Sequence, residues 1–224
     1  IFHKLIVSQN NFTVPICILN IGGISNITVI KDQDKTDSIY SKDIGPGNCL
    51  IDNWVRKNSS EKFDRNGKLA NAGSCNDIIF EQAQELFSNY LNGQKLSYDV
   101  NDFDVSFVRG LSLEDGAATL TEITSKSISS FLNNLNLEIK KDFLRILVCG
   151  GGRHNKTLIN KIKNNLTKEV KLELIDDYEI NGDFIESQAF AFLAIRSILK
   201  LPISFPNTTG CKSPTSSGSI IKSK

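Results

Sequence analysis

The apolar positions along this chain change period several times. Residues 14–20 (Val-Pro-Ile-Cys-Ile-Leu-Asn) are a short apolar run rich in β-branched side chains, which predicts a strand. Pro15 stands near its start, where a missing N–H is tolerated. Gly22-Gly23 predicts a turn, 26–31 a second strand and 37–42 a third, with the polar turn Asp32–Lys35 between them. These three read as an antiparallel meander. Gly45-Pro46-Gly47 then breaks the chain. Asn48 is placed to cap a helix through about 55, with Leu50, Ile51, Trp54 and Val55 on one face. Helical spacing returns at 77–91 and again at about 112–134, while 58–76 reads as loop and 92–110 fits no single period. Residues 143–149 are apolar apart from Arg145, the pattern of a strand buried on both faces in a parallel sheet. Gly150-Gly151-Gly152 turns the chain into a helix at 155–165, followed by a strand at 169–175. The last helix, 186–199, is apolar on most sides, which predicts that it is buried.

The order is three meander strands, helices, then two strands joined by helical crossovers. That order predicts an α/β, ribonuclease-H-like domain of the actin-like ATPase kind: a mixed five-stranded sheet with flanking helices. One domain is expected over 1–224, with a helical insertion at about 58–110 and an irregular tail from about 202. Sugar kinases and actin-like ATPases use two copies of this fold around a cleft; one copy is visible here.

Composition narrows the function classes. Basic residues number 26 and acidic residues 25, and they are interspersed, so no stripe points to nucleic acid. A small-molecule partner fits better. The five cysteines, Cys17, Cys49, Cys75, Cys149 and Cys211, form no CxxC pair, so neither a disulfide framework nor a zinc site is expected. Reduced thiols in a cytoplasmic protein are the expectation. No apolar run is long enough to span a membrane. The chain contains no methionine and begins at Ile1, which predicts a fragment of a longer product.

Three glycine-bearing segments are candidates for chemistry. In Asn20–Asn26, the glycines Gly22 and Gly23 would let backbone N–H groups approach phosphate oxygens, and Ser25 and Asn26 could add side-chain donors. A plain hairpin turn explains the same residues. In Asp43–Asn48, a carboxylate at a strand end stands beside Gly45, Gly47 and a helix N-terminus that favours negative charge. Asp43 is a candidate general base there; an aspartate that only holds the turn is the alternative. Gly150, Gly151 and Gly152, ahead of a helix opening at Asn155, suit a flat ligand lying on bare backbone, although they match neither a Walker loop nor GxGxxG. His154 reads as a surface or capping residue, and Glu186 as an acid at a helix start.

Together these segments resemble the anhydro-N-acetylmuramic acid kinase family over nearly the whole chain. Asn20–Asn26 resembles its N-I-G-G-x-(S/A)-N phosphate loop, and Asp43–Asp52 its D-x-G-P-G-N-x-L-x-D segment, with Trp54 at its aromatic position. Phe63–Gly67 with Ala70 and Gly73 resembles F-D-x-(D/N)-G-x-x-A-x-x-G, and Val148–Gly152 with Asn155 the adenosine motif. Glu186 with Ala189-Phe190-Ala191 fits the final helix, and Thr209-Gly210 the end motif, with Cys211 in place of the usual alanine.

The resemblance implies a bacterial, cytoplasmic enzyme of cell-wall recycling that uses ATP, Mg²⁺ and water to open a 1,6-anhydro muramic sugar and phosphorylate O6. It implies that Asp43 activates the water, and that Gly22, Gly23, Ser25, Asn26, Gly150–Gly152 and Asn155 hold the nucleotide. Gly45, Gly47, Asn48 and Glu186 would then face the sugar, with the metal ligands unknown. The family's G-T-S-x-D-G phosphate loop has no counterpart in this sequence. Little or no activity of the chain alone is therefore expected. The remaining readings are a kinase half paired with a separate N-terminal half, a non-catalytic remnant, and another actin-like amino-sugar kinase; a homodimer is a further expectation.

Overall fold

In the computed structural model, residues 1–91, 97–139, 142–219 and 221 are described. Five strands form one sheet: β1 (Ile16–Ile21), β2 (Ile24–Ile30), β3 (Ile39–Pro46), β4 (Leu144–Cys149) and β5 (Val170–Leu174), in the order β3-β2-β1-β4-β5. Strands β1 to β3 pair antiparallel, whereas β1–β4 and β4–β5 are parallel. This is the expected ribonuclease-H-like order. The central strand, β1, is apolar apart from Asn20 because both of its faces are covered. Cys17, Leu19 and Ile21 point to one side, and Ile16 and Ile18 to the other.

The first face packs against α5 (Leu113–Ile139) and α6 (Lys156–Asn165), through Ile128, Leu132, Leu158 and Ile162. The second face lies under α1 (Phe2–Gln9) and the start of α7 (Ile185–Ile198), through Ile6, Val7, Phe12 and Ile185. Each such fully buried aliphatic side chain stabilises the fold by about 1.5–3 kcal/mol. The pattern before residue 14 predicted no element, yet α1 forms there because the sheet face needs a cover.

A second core joins α2 (Cys49–Asn58), α3 (Lys68–Ala72), α4 (Asp77–Leu91) and the start of α5. Trp54 anchors it: its indole N–H donates to the Leu113 carbonyl at 2.9 Å. A methyl group on Gly116 would come within 2.3 Å of that indole ring. The stretch read as loop at 58–76 contains α3, capped by Asp64. The two carboxylate oxygens of Asp64 accept from Leu69 N at 2.8 Å and Ala70 N at 3.0 Å. Residues 92–96, inside the stretch without a period, lie outside the described residues.

Two expectations are corrected. The 37–42 strand runs on to Pro46, so Asp43 sits within β3 and not in a loop after it. The extension exists because β2 keeps pairing up to Ile24↔Pro46, across a bulge at Ser25/Asn26 that leaves Ile44 unpaired. The last helix is not buried: Ile185 is its one buried residue, and Phe190 is 66% and Ile198 61% exposed. Helix α1 already covers the sheet beside it, and α7 meets α1 through Phe2 and Phe192, whose rings lie 5.7 Å apart. In the tail, a short helix α8 (Pro206–Thr209) ends at Gly210 in the left-handed region.

Candidate active site

The Gly22-Gly23 hairpin is locked to the start of α2. Gly47 N and Cys49 N donate to the Gly23 carbonyl at 2.9 and 3.1 Å, and Asn48 N donates to the Gly22 carbonyl at 2.7 Å. A Cβ on Gly47 would lie 2.3 Å from the Gly22 oxygen, so only glycine fits. These three N–H groups are therefore committed to the hairpin. The anion-favouring helix start expected here has spent its first donors inside the protein. Asn48 does not cap α2 with its side chain; its amide faces the Ile21 carbonyl at 3.5 Å. Ser25 is buried and donates its hydroxyl to the Pro46 carbonyl at 3.2 Å.

The bulge re-aims the end of β3 and places Asp43 opposite Asn26. One carboxylate oxygen, Oδ2, accepts from the Ser97 hydroxyl at 2.8 Å and from Tyr98 N at 2.9 Å. Among the described residues nothing donates to Oδ1. A carboxylate held by one oxygen and open at the other is oriented without being used up. Gly45, paired with Ser25 beside the bulge, sits at φ 141°, a conformation that favours glycine.

The three glycines after β4 divide their work. A Cβ on Gly150, at φ 82°, would meet Asn20 Oδ1 at 2.2 Å, and one on Gly152 would meet Ile21 at 2.3 Å. Both are bare because β1 presses on them. Gly151 has nothing within 4 Å of that position and is the one that opens outward. Asn155 is buried and caps α6, accepting from Leu158 N at 3.0 Å.

Two cavities share Gly151. The first, about 400 Å³, lies between α2 and the turn and is lined by Asn48, Ile51, Asp52, Phe63–Asn66, Gly151, His154 and Asn155. The second, about 280 Å³, lies on the other side and brings together His3, Asn20, Asn26, Gly150, Gly151, Arg153 and Glu186 with residues of the loop before α7. Asp43, Gly22, Gly23, Ser25, Gly45 and Gly47 line neither cavity.

Two charged or titratable groups, Arg153 and His3, escaped the sequence reading, and a third, Asp52, entered it only as the end of a motif. Arg153 is buried; it donates to Asp176 at 2.7 Å and to the Gly150 carbonyl at 3.0 Å, and meets Asp183 at 2.9 Å. It thereby fixes the glycine turn to the 176–183 loop. The Arg153 guanidinium, and then His154, hold the Asp183 carboxyl down to about 2. His3 reaches Thr28 Oγ1 at 2.7 Å, and Thr28 in turn reaches Ser41 Oγ at 2.8 Å. Burial pushes the His3 imidazole down to about 4, so it is neutral at neutral pH. Burial likewise raises Asp52 to about 6, with Arg56 pulling it down and Asp64 pushing it up. An arginine directly after three glycines, with aspartates downstream, was a readable signal; an isolated His3 was not. All five cysteines are free, and burial pushes Cys17 and Cys149 up to about 12, where thiolate chemistry is suppressed.

A family model described as anhydro-N-acetylmuramic acid kinase matches residues 1–223. The chain is 51% identical to the anhydro-N-acetylmuramic acid kinase of Pelagibacter ubique, over 99% of this chain and 59% of that protein. It is 37% identical to that of Zymomonas mobilis, over 98% of this chain and 57% of that protein. The chain thus spans less than two thirds of the curated relatives it matches. A solved activator of 2-hydroxyisocaproyl-CoA dehydratase from Clostridium difficile superposes at TM-score 0.47 with 14% identity, covering 87% of this chain and 67% of that one, too loose a likeness to carry an argument. On the family match and these identities, the chain belongs to the anhydro-N-acetylmuramic acid kinase family.

Proposed function

We propose that this chain supplies one wall of the active site of an ATP-dependent kinase. The enzyme opens 1,6-anhydro-N-acetylmuramic acid with water and phosphorylates O6, giving N-acetylmuramate 6-phosphate. The observation that carries this reading is the Asp43 carboxylate, held through Oδ2 and open at Oδ1. In the proposed step, Asp43 takes a proton from water as the water oxygen bonds to the anomeric carbon. The bond from that carbon to O6 breaks, and O6 takes the γ-phosphoryl group as ADP leaves. Breaking an acetal near an oxocarbenium-like state calls for such a carboxylate base. The phosphoryl part rests on positioning and charge stabilisation.

The nucleotide is proposed to lie along the open Gly151, with Gly150 and Gly152 letting the turn sit tight on β1 and Asn155 opening α6 beneath it. Asn26 and Glu186, which share the smaller cavity, are proposed to face the substrates. Gly22, Gly23, Ser25, Gly45, Gly47 and Asn48 act by shaping the hairpin and the start of α2, since their polar groups are largely satisfied within the protein.

With so few free donors on this wall, the phosphates need donors from elsewhere. The rest of the relatives' length, on this or another polypeptide, is proposed to provide them. Single-turnover phosphorylation of the anhydro sugar by the chain together with that portion of a relative tests the reading. Product that is lost in Asp43→Asn supports it, and product that persists in Asp43→Asn removes Asp43 from the base role.

A further inference from the structure

The sheet face under α1 and α7 is apolar at one end and polar at the other. Ile16, Ile18 and Ile30 fill the first end. Strand register puts Asn20, Asn26, Asp43, Thr28 and Ser41 on the same face: Asn20 pairs with Asn26, Asn26 with Asp43, and Thr28 with both Ile18 and Ser41. Helix α1 adds His3 to this polar end. His3 Nδ1 lies 2.7 Å from Thr28 Oγ1, which lies 2.8 Å from Ser41 Oγ. The Thr28 hydroxyl has a single proton to give, so the direction of this line decides which ring nitrogen of His3 carries the hydrogen. Among the described residues nothing meets the other ring nitrogen, Nε2, and no carboxylate pairs with the ring. His3 nevertheless lines the smaller cavity with Asn20, Asn26 and Glu186. Of the other charged groups there, Arg153 and Asp183 engage each other at 2.9 Å. Burial keeps the His3 ring neutral at neutral pH. A neutral imidazole gives or takes a hydrogen bond but does not balance a negative charge, so it suits an uncharged hydroxyl or amide group.

We infer that His3 is a sugar-binding residue: held at Nδ1 by the Thr28–Ser41 line, it presents Nε2 to an uncharged hydroxyl or amide group of the sugar and not to its carboxylate. The inference rests on the sugar-kinase reading above and adds a residue to it. The chain has two histidines, His3 and His154, so NMR of the full chain with isotope-labelled histidine reads two imidazoles, which His154→Gln tells apart. On titration with 1,6-anhydro-N-acetylmuramic acid, the Nε2 signal of His3 should move and that of His154 should not. 1,6-Anhydro-N-acetylglucosamine, which lacks the carboxylate, should move it equally. His3→Phe should weaken both sugars by about threefold to tenfold, the scale of one neutral hydrogen bond, with ADP affinity unchanged. Thr28→Val should let both ring tautomers appear and should weaken the sugars less than His3→Phe; it carries the test if the melting curve of His3→Phe shows an unfolded chain. Sugar that binds without moving the His3 signal, and with its affinity unchanged in these variants, overturns the inference and leaves the kinase reading standing. A shift with the muramic sugar alone overturns the uncharged partner. A wild-type chain that takes up neither sugar overturns the inference as well, whereas the kinase reading falls only if the chain mixed with the remaining portion of a relative gives no product.

Discussion

Asp43, Asp52 and the glycines after β4 show how far a residue's identity can mislead about its work. Asp43→Asn keeps the hydrogen bonds to Ser97 and Tyr98 within reach but removes the proposed base, so turnover with the remaining portion of a relative should fall by about 10²–10⁴-fold while the melting temperature barely moves. The three glycines look alike in sequence, and their surroundings separate them. Gly150→Ala puts a methyl group against Asn20 and the Ile21 backbone at φ 82°, and should cost about 2–4 kcal/mol in denaturant unfolding. Gly151→Ala meets nothing, so stability should change by less than about 0.5 kcal/mol and any loss should appear in nucleotide binding. Asp52 gives a pH signature. Its folded carboxyl is raised to about 6, so the folded state prefers the proton more than the unfolded chain does. The ionised group therefore disfavours folding above about pH 6, and the penalty fades as pH falls toward the unfolded value of about 3.9. Asp52→Asn should be more stable than wild type by about 1–3 kcal/mol near pH 8, with the difference gone below about pH 4, as thermal unfolding across that range would show.

At the scale of elements, the strands and long helices were legible because each carries its own period. The continuous run in β4 and the 3.6-residue spacing in α4 and α5 reflect burial on two faces or on one. What escaped reading lacks a period of its own. Helix α1 has one turn's worth of buried residues, Ile6 and Val7, and α3 has five residues in all. Helix α3 leans on Asp64, which accepts from two N–H groups of its first turn, and Asp64→Ala should cost about 1–2 kcal/mol. The site was legible to the same degree. Asp43 and the three glycine segments were singled out as candidates from residue type and position. The committed donors at Gly47–Cys49 could not be, because hydrogen bonds between a hairpin and a helix start are long-range facts. Arg153 after the three glycines was a readable signal, but which aspartates it clamps, 23 and 30 residues further on, was not.

For the whole molecule, α7 is the element whose exposure departs most from its sequence pattern. An apolar pattern on all sides signals burial but does not say against what. Here Phe190, Ile195, Ile198 and Leu199 are more than half exposed. Substituting Phe190 with Lys should leave the melting temperature of the chain unchanged within about a degree, because the ring is largely outside the core. The same change should reduce self-association, measured by sedimentation, if the exposed face is what drives it. The donor shortage at the hairpin and the open face of α7 point the same way. Both fit the proposal that this wall works against a second surface.

The most direct test of the account is single-turnover conversion of 1,6-anhydro-N-acetylmuramic acid with ATP and Mg²⁺, with and without the remaining portion of a relative such as the Pelagibacter ubique protein. N-acetylmuramate 6-phosphate is expected from the mixture and not from the chain by itself, and none with Asp43→Asn. Product from the chain by itself would contradict the one-walled site. No product from the mixture, with both parts folded, would contradict the kinase reading.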